Sequence, residues 1–203
     1  MLVGLLGLEW RAAPQDVPEE QHLLEEPLIG AVNVALAKVR CLGVLSRGEV
    51  ALAADTLVVS PDGVVLGKPA TGEEARTMLR ALHGRPHTVI TGVVVRTSDR
   101  REWAAAVSTR VIMRAYSQRE IDSYVERGEP YDKAGGYAIQ DAEFRPVERL
   151  DGCYLNVVGL PLCAAARGLE TLGVSVSRVD SWTPPCGYCT AGAPLVGGRP
   201  LPE

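Results

Sequence analysis

Two β-rich stretches, 87–97 and 103–115, are separated only by the polar run Ser98–Glu102. A parallel return would need a crossover of about a dozen residues, so this spacing predicts a hairpin and excludes a purely parallel sheet. Around it, strand and helix patterns alternate. Residues 28–42 keep Leu28, Val32, Leu36 and Val39 at helical spacing. Glu49–Ser60 is dense in Val, Ala and Leu, and a Pro61-Asp62-Gly63 turn leads to a short strand at 64–66. Thr71 with Glu74, and Ser117 with Glu120, are capping boxes that open two further helices, the second stopping at Gly128. After Pro161 a helix runs to Gly173, while Leu2, Leu5 and Leu6 read as the last turns of a short helix ending near Gly7. Residues 9–13 read as a strand, followed by an acidic connection from Pro14 to Pro27. The fold class is α/β, with a mixed sheet.

The 203 residues suit one domain, at 1–180, and 46% hydrophobic content suffices for its core. From Ser181 onward nine of 23 residues are Gly or Pro and two are charged, which predicts a disordered tail. With 25 acidic against 21 basic side chains, no basic stripe exists for nucleic acid. No apolar run approaches the roughly 20 residues that cross a bilayer, so no membrane partner is expected. The apolar start lacks a basic lead and a cleavage site, unlike a signal peptide. Five scattered cysteines fit reduced thiols and a cytoplasmic location better than a disulfide framework.

Four segments carry groups suited to chemistry. Asp55 closes the run Val50-Ala-Leu-Ala-Ala54, where α/β sheets place ligands; it reads equally as a strand-end cap. Thr56 beside it is a hydrogen-bonding partner or simply a β-former. Lys68 sits between Gly67 and Pro69 on a stiff loop, either as a point charge for phosphate or as a solvated turn lysine. Asp132 and Lys133 precede Gly135-Gly136, whose N–H groups suit an anion, and Gln140 follows where a short strand would present it to a base edge. Asn156 and Gly159-Leu160-Pro161 read as a turn into the last helix. Cys186-Gly-Tyr-Cys189 is a lone CxxC without partners for a zinc site, and His83 and His87 flank a turn in structural positions.

Taken jointly, Ala54-Asp55-Thr56, Gly67-Lys68-Pro69 and Gly84-Arg85-x-His87-x-Val89-x-Thr91-Gly92-Val93 resemble the Maf family in order and spacing. So do Gly128-Glu129-Pro130-x-Asp132-Lys133-Ala134-Gly135-Gly136-Tyr137-x-Ile139-Gln140 and Asn156-Val157-Val158-Gly159-Leu160-Pro161. The resemblance implies an elongated mixed sheet flanked by helices, with a cleft between two lobes, related to the inosine triphosphate pyrophosphatases. It implies hydrolysis of a nucleoside triphosphate to the monophosphate and pyrophosphate with a divalent metal, Mg²⁺ or Mn²⁺, and a link to septum formation. By motif, Asp55 resembles the family's catalytic proton acceptor and a metal-binding carboxylate. Glu19 matches a second acidic metal position, and Lys38 and Lys68 match lysines that contact the phosphates. Thr56 and Gln140 match positions associated with substrate choice, and Asp-Lys-Ala-Gly-x-Tyr-x-Ile-Gln resembles the branch acting on dTTP and UTP rather than on 7-methyl-GTP. A homodimer is the partner the family implies.

Those residue types suit the reaction. Cleavage between the α- and β-phosphates develops charge that metal and lysines neutralise. Carboxylates hold Mg²⁺ and deprotonate water. An amide side chain both donates to and accepts from the edge of thymine or uracil. The family begins with a strand and a Ser-x-Ser-Pro-Arg-Arg loop, and this sequence starts beyond that loop, its first serine being Ser46. Two readings follow: a start codon placed late in an active pyrophosphatase, which the intact motifs favour, or a catalytically impaired nucleotide-binding or septum-regulating protein.

Overall fold

The computed structural model describes residues 2–18 and 26–177, together with the backbone of 195–196 and 199–200. A 3-10 helix, Leu2–Leu6, opens the chain. Then follow α1 (Pro27–Cys41), β1 (Val50–Val59), β2 (Val65–Leu66), α2 (Gly72–Leu82), β3 (Pro86–Thr97) and β4 (Glu102–Met113). After these come α3 (Gln118–Glu126), β5 (Val147–Asp151), α4 (Tyr154–Val158) and α5 (Leu162–Thr171). Two short strands, β6 (Leu195–Val196) and β7 (Arg199–Pro200), pair with each other. The rest of the tail predicted from Ser181, including Cys186 and Cys189, lies outside the described residues.

Strands β1 to β5 form one sheet in the order β2-β1-β3-β4-β5. The hairpin expected around Ser98–Glu102 is β3–β4, in register from Pro86↔Ile112 to Arg96↔Glu102. Every pairing in this sheet is antiparallel, so among the described residues the mixed sheet is corrected to an antiparallel one. The strand expected at residues 9–13 does not form; these residues are irregular and exposed. Trp10 and Ala12 alternate with Glu9 and Arg11, but all five residues are exposed and none is buried against the sheet.

Each face of the sheet carries its own packing. On one face α1 covers Ala51, Leu57, Ile90, Val94, Ala104 and Ala106. The opposite face holds two separate clusters. At one end Leu6 and α5 pack on Val93, Val95, Trp103, Ala105 and Val107. At the other, α2 and α3 pack on Val58, Val89, Val111 and Met113, with Tyr124, Tyr137 and Phe144 filling the interior. Alternation along β3 explains the division: Val89, Thr91, Val93 and Val95 share a face, and the buried Thr91 falls between the two apolar groups. Thr109 on β4 likewise lies between Val107 and Val111. A row of threonines thus separates two lobes on one face of the sheet.

Candidate active site

The site is built on the middle of β1. Asp55 does not end a strand, as its sequence suggested, because Thr56–Val59 continue the ladder against β3. Asp55 pairs with Gly92, and both stand on the face covered by α1. Gly92 sets the depth of that helix. A Cβ there would lie 2.4 Å from the carbonyl carbon and oxygen of Ala31 and 2.5 Å from the nitrogen of Val32. The α1 backbone therefore rests directly on β3, and Lys38, about two turns beyond Ala31, reaches Asp55. Lys38 Nζ donates to Asp55 Oδ1 at 2.7 Å, with the two side chains only 22% and 10% exposed. Arg96 supports the same helix from below, donating to the carbonyls of Val39 (2.9 Å) and Gly43 (2.6 Å) at its C-terminal end.

Thr56 points to the opposite face, as its neighbour position on a strand requires. Its Oγ1 lies 2.9 Å from Thr91 Oγ1. Among the described residues, β2 pairs only with Val58 and Val59 on the outer edge of β1. The β1–β2 register pairs Val58 with Leu66 and Val59 with Val65, and Lys68 follows two residues beyond β2, exposed. The chain there is tied down by the Gly135 N–H, which donates to the Gly67 carbonyl at 3.0 Å. A cavity of about 290 Å³ opens beside Lys38, between residues 13–15 and Leu52–Ala54.

Other expected residues are placed differently. Gln140 lies exposed in a turn after Tyr137, not in a strand. The polar Asp141 that follows ends any apolar alternation; its carboxylate accepts from the N–H groups of Glu143 and Phe144, closing the turn. Glu19 and His22 lie outside the described residues. Among the described residues no group of three or more His, Cys, Asp or Glu side chains gathers to hold a metal. Nor is any described helix long and apolar enough to cross a membrane.

Asn156, expected in a turn leading into the last helix, is fully buried at the junction of the lobes. It stands within α4 rather than in the turn before α5. Its Nδ2 donates to the Val89 carbonyl at 3.0 Å and to Thr109 Oγ1 at 2.9 Å. Its main-chain oxygen accepts from Thr91 Oγ1 at 3.0 Å and from the Gly159 N–H at 3.0 Å. The usable signal was an Asn inside a short apolar run, where a buried amide must find partners. His87 is buried, with Nε2 2.7 Å from the Tyr137 hydroxyl, and burial pulls its imidazole down to about 4. The same burial raises the Tyr137 phenol far above its ordinary range.

A buried carboxylate in contact with a lysine is a pair whose chemistry suits proton transfer and the neutralisation of anionic charge. The family described as Maf-like protein matches residues 1–172. A dTTP/UTP pyrophosphatase of Thermomicrobium roseum is 44% identical over 195 residues, covering 93% of this chain and 87% of its own. A dTTP/UTP pyrophosphatase of Geobacter metallireducens is 42% identical over 173 residues, covering 85% of this chain and 90% of its own. One from Dehalococcoides mccartyi is 43% identical over 157 residues, or 77% and 69%. Matched from its first residue to the end of its last long helix, and by relatives this similar over most of both chains, the protein belongs to the Maf family.

Proposed function

We propose that this chain hydrolyses dTTP and UTP to the monophosphate and pyrophosphate, using one domain at residues 1–180. The observation that carries the reading is the Lys38–Asp55 contact of 2.7 Å, on β1 short of the residues that pair with β2. The names of the relatives supply the reaction and substrates. Asp55 accepts the proton of the attacking water. Lys38 and Lys68 neutralise charge on the phosphates as the pyrophosphate leaves. Thr56 and Gln140 meet the base.

The donor chemistry fits a divalent metal of the substrate-borne kind. Mg²⁺ is commonly held by one or two carboxylates plus phosphate oxygens and water, without a dedicated protein cage. Asp55 offers such an oxygen ligand, and Glu19 is proposed as the second carboxylate. When bound, the ion withdraws charge from the phosphate oxygens. Asp55 is then the proton acceptor, and the two lysines hold the triphosphate in line.

Incubation of the purified protein with dTTP, UTP, CTP and GTP, each with Mg²⁺ or Mn²⁺, tests this. Pyrophosphate release from dTTP and UTP ahead of CTP and GTP is expected. A folded protein that releases none from any of the four overturns the reading.

A further inference from the structure

Hydrogen positions at the lobe junction follow from counting. Thr91 Oγ1 lies 3.0 Å from the main-chain oxygen of Asn156 and 2.9 Å from Thr56 Oγ1. A hydroxyl carries one hydrogen, and a carbonyl oxygen cannot donate. Thr91 must therefore donate to Asn156, since the reverse would set two oxygens face to face without a proton. In the remaining contact Thr56 is then the donor and Thr91 the acceptor. The hydrogen of Thr56 is directed inward, and only its lone pairs are left for an incoming group.

The anchor of this chain is rigid. Asn156 is fully buried, and its side-chain amide is held by Val89 and Thr109. Thr91 is fully buried as well, so water cannot offer it an alternative partner. Thr56 itself is half-buried and remains approachable. A Cβ at Gly159 would sit 3.6 Å from Thr56 Oγ1 and cover it; glycine at this position, with φ of +113°, leaves the hydroxyl open.

We propose that Thr91, acting through Thr56, is a positioning residue that makes Thr56 an acceptor-only group and so selects bases carrying an imide N–H. Uracil and thymine bring a donor at N3. Cytosine brings a lone pair at N3, which meets the lone pairs of Thr56 with no hydrogen between them. This inference rests on the reading above that Thr56 meets the base.

The test compares kcat and KM for UTP, CTP and N3-methyl-UTP in the unmodified protein, Thr91→Val and Thr91→Ser. In the unmodified protein, N3-methyl-UTP falls to the level of CTP. In Thr91→Val the Thr56 hydroxyl turns freely and can donate to cytosine N3. The UTP-to-CTP ratio of kcat/KM then narrows about tenfold, chiefly through KM, because the base is remote from the reacting phosphates. Thr91→Ser restores the ratio. A purely packing role for Thr91 would lower both substrates together, and an unchanged ratio in folded Thr91→Val overturns the proposal. Valine matches threonine in shape, and the Asn156 oxygen keeps its bond from the Gly159 N–H. Should that variant not fold, the unmodified protein decides: N3-methyl-UTP used as well as UTP overturns the proposal. Release of pyrophosphate from no nucleotide would instead overturn the reading of the site, and this inference with it.

Discussion

At the scale of single residues, the Lys38–Asp55 contact joins two charges that are mostly withdrawn from water, and its two ends fail differently. Asp55→Asn keeps an oxygen facing the ammonium but cannot take a proton from water. Its turnover of dTTP is expected to fall at least about a hundredfold, measured as pyrophosphate release. Lys38→Met removes the cation beside a carboxylate that is nine-tenths buried, and should cost about 2 to 3 kcal/mol in urea unfolding. His87 makes a separate prediction. Burial lowers its imidazole from 6.5 to about 4, so the folded protein binds fewer protons than the unfolded chain between those values. Stability is therefore full above about pH 6.5 and is lost as the pH falls toward 4, by about 3 kcal/mol. Carboxylates such as Glu120, held at about 2 by hydrogen bonds from Ser117 and Arg114, titrate lower. Urea midpoints across pH 4 to 7 should show the slope, and His87→Gln should flatten it.

Among the elements, the seating of α1 on β3 decides whether Lys38 meets Asp55. Gly92→Ala would force a methyl to within about 2.5 Å of main-chain atoms of Ala31 and Val32, which no side-chain rotation relieves. Overpacking of this kind costs about 1 to 3 kcal/mol, and any outward shift of α1 carries Lys38 away. The expected result is a lower melting temperature together with a loss of turnover larger than the stability change explains. The elements involved here were legible from the sequence. A run dense in Val, Ala and Leu marked β1, the polar break at Ser98–Glu102 marked the β3–β4 hairpin, and helical spacing marked α1. Ser117 and Glu120 form a full capping box, whereas at Thr71 only half of one forms, with Glu74 turning to the Ala70 N–H instead. Strand β5 was not legible. Val147-Glu-Arg-Leu-Asp151 is an edge strand with charges on both faces, and its pairing with β4 is dictated by its partner rather than by its own pattern. The site was legible only in part for a related reason. Motif spacing brought Asp55, Lys38 and Lys68 forward, but Thr91 and Asn156 matter through contacts across 65 residues of chain, which no local pattern encodes.

For the whole molecule, the division into lobes raises the question of whether they open independently. Two apolar clusters share one face of the sheet and are separated by Thr56, Thr91 and Thr109, a seam where separation would cost little apolar contact. The backbone argues the other way. Strand β3 places Val89 in the cluster of α2 and α3, Val93 and Val95 in that of α5, and Ile90 and Val94 beneath α1. Freeing either lobe would strip one half of a continuous 12-residue strand that stays paired with β1 and β4 along its other half. Asn156 also stitches the seam, bonding from α4 to the Val89 carbonyl on one side and to Thr91 and Thr109 within it. The lobes should therefore unfold together. Native-state hydrogen exchange measures this directly, because an amide on each half of β3 reports the opening of its own lobe. The amides of Val89 and Val95 are expected to give opening free energies equal within about 1 kcal/mol and close to the global value. A markedly lower value at one of them would mean that its lobe opens while the other stays folded. Asn156→Ala should lower both values in parallel, since it removes one tie common to the two lobes.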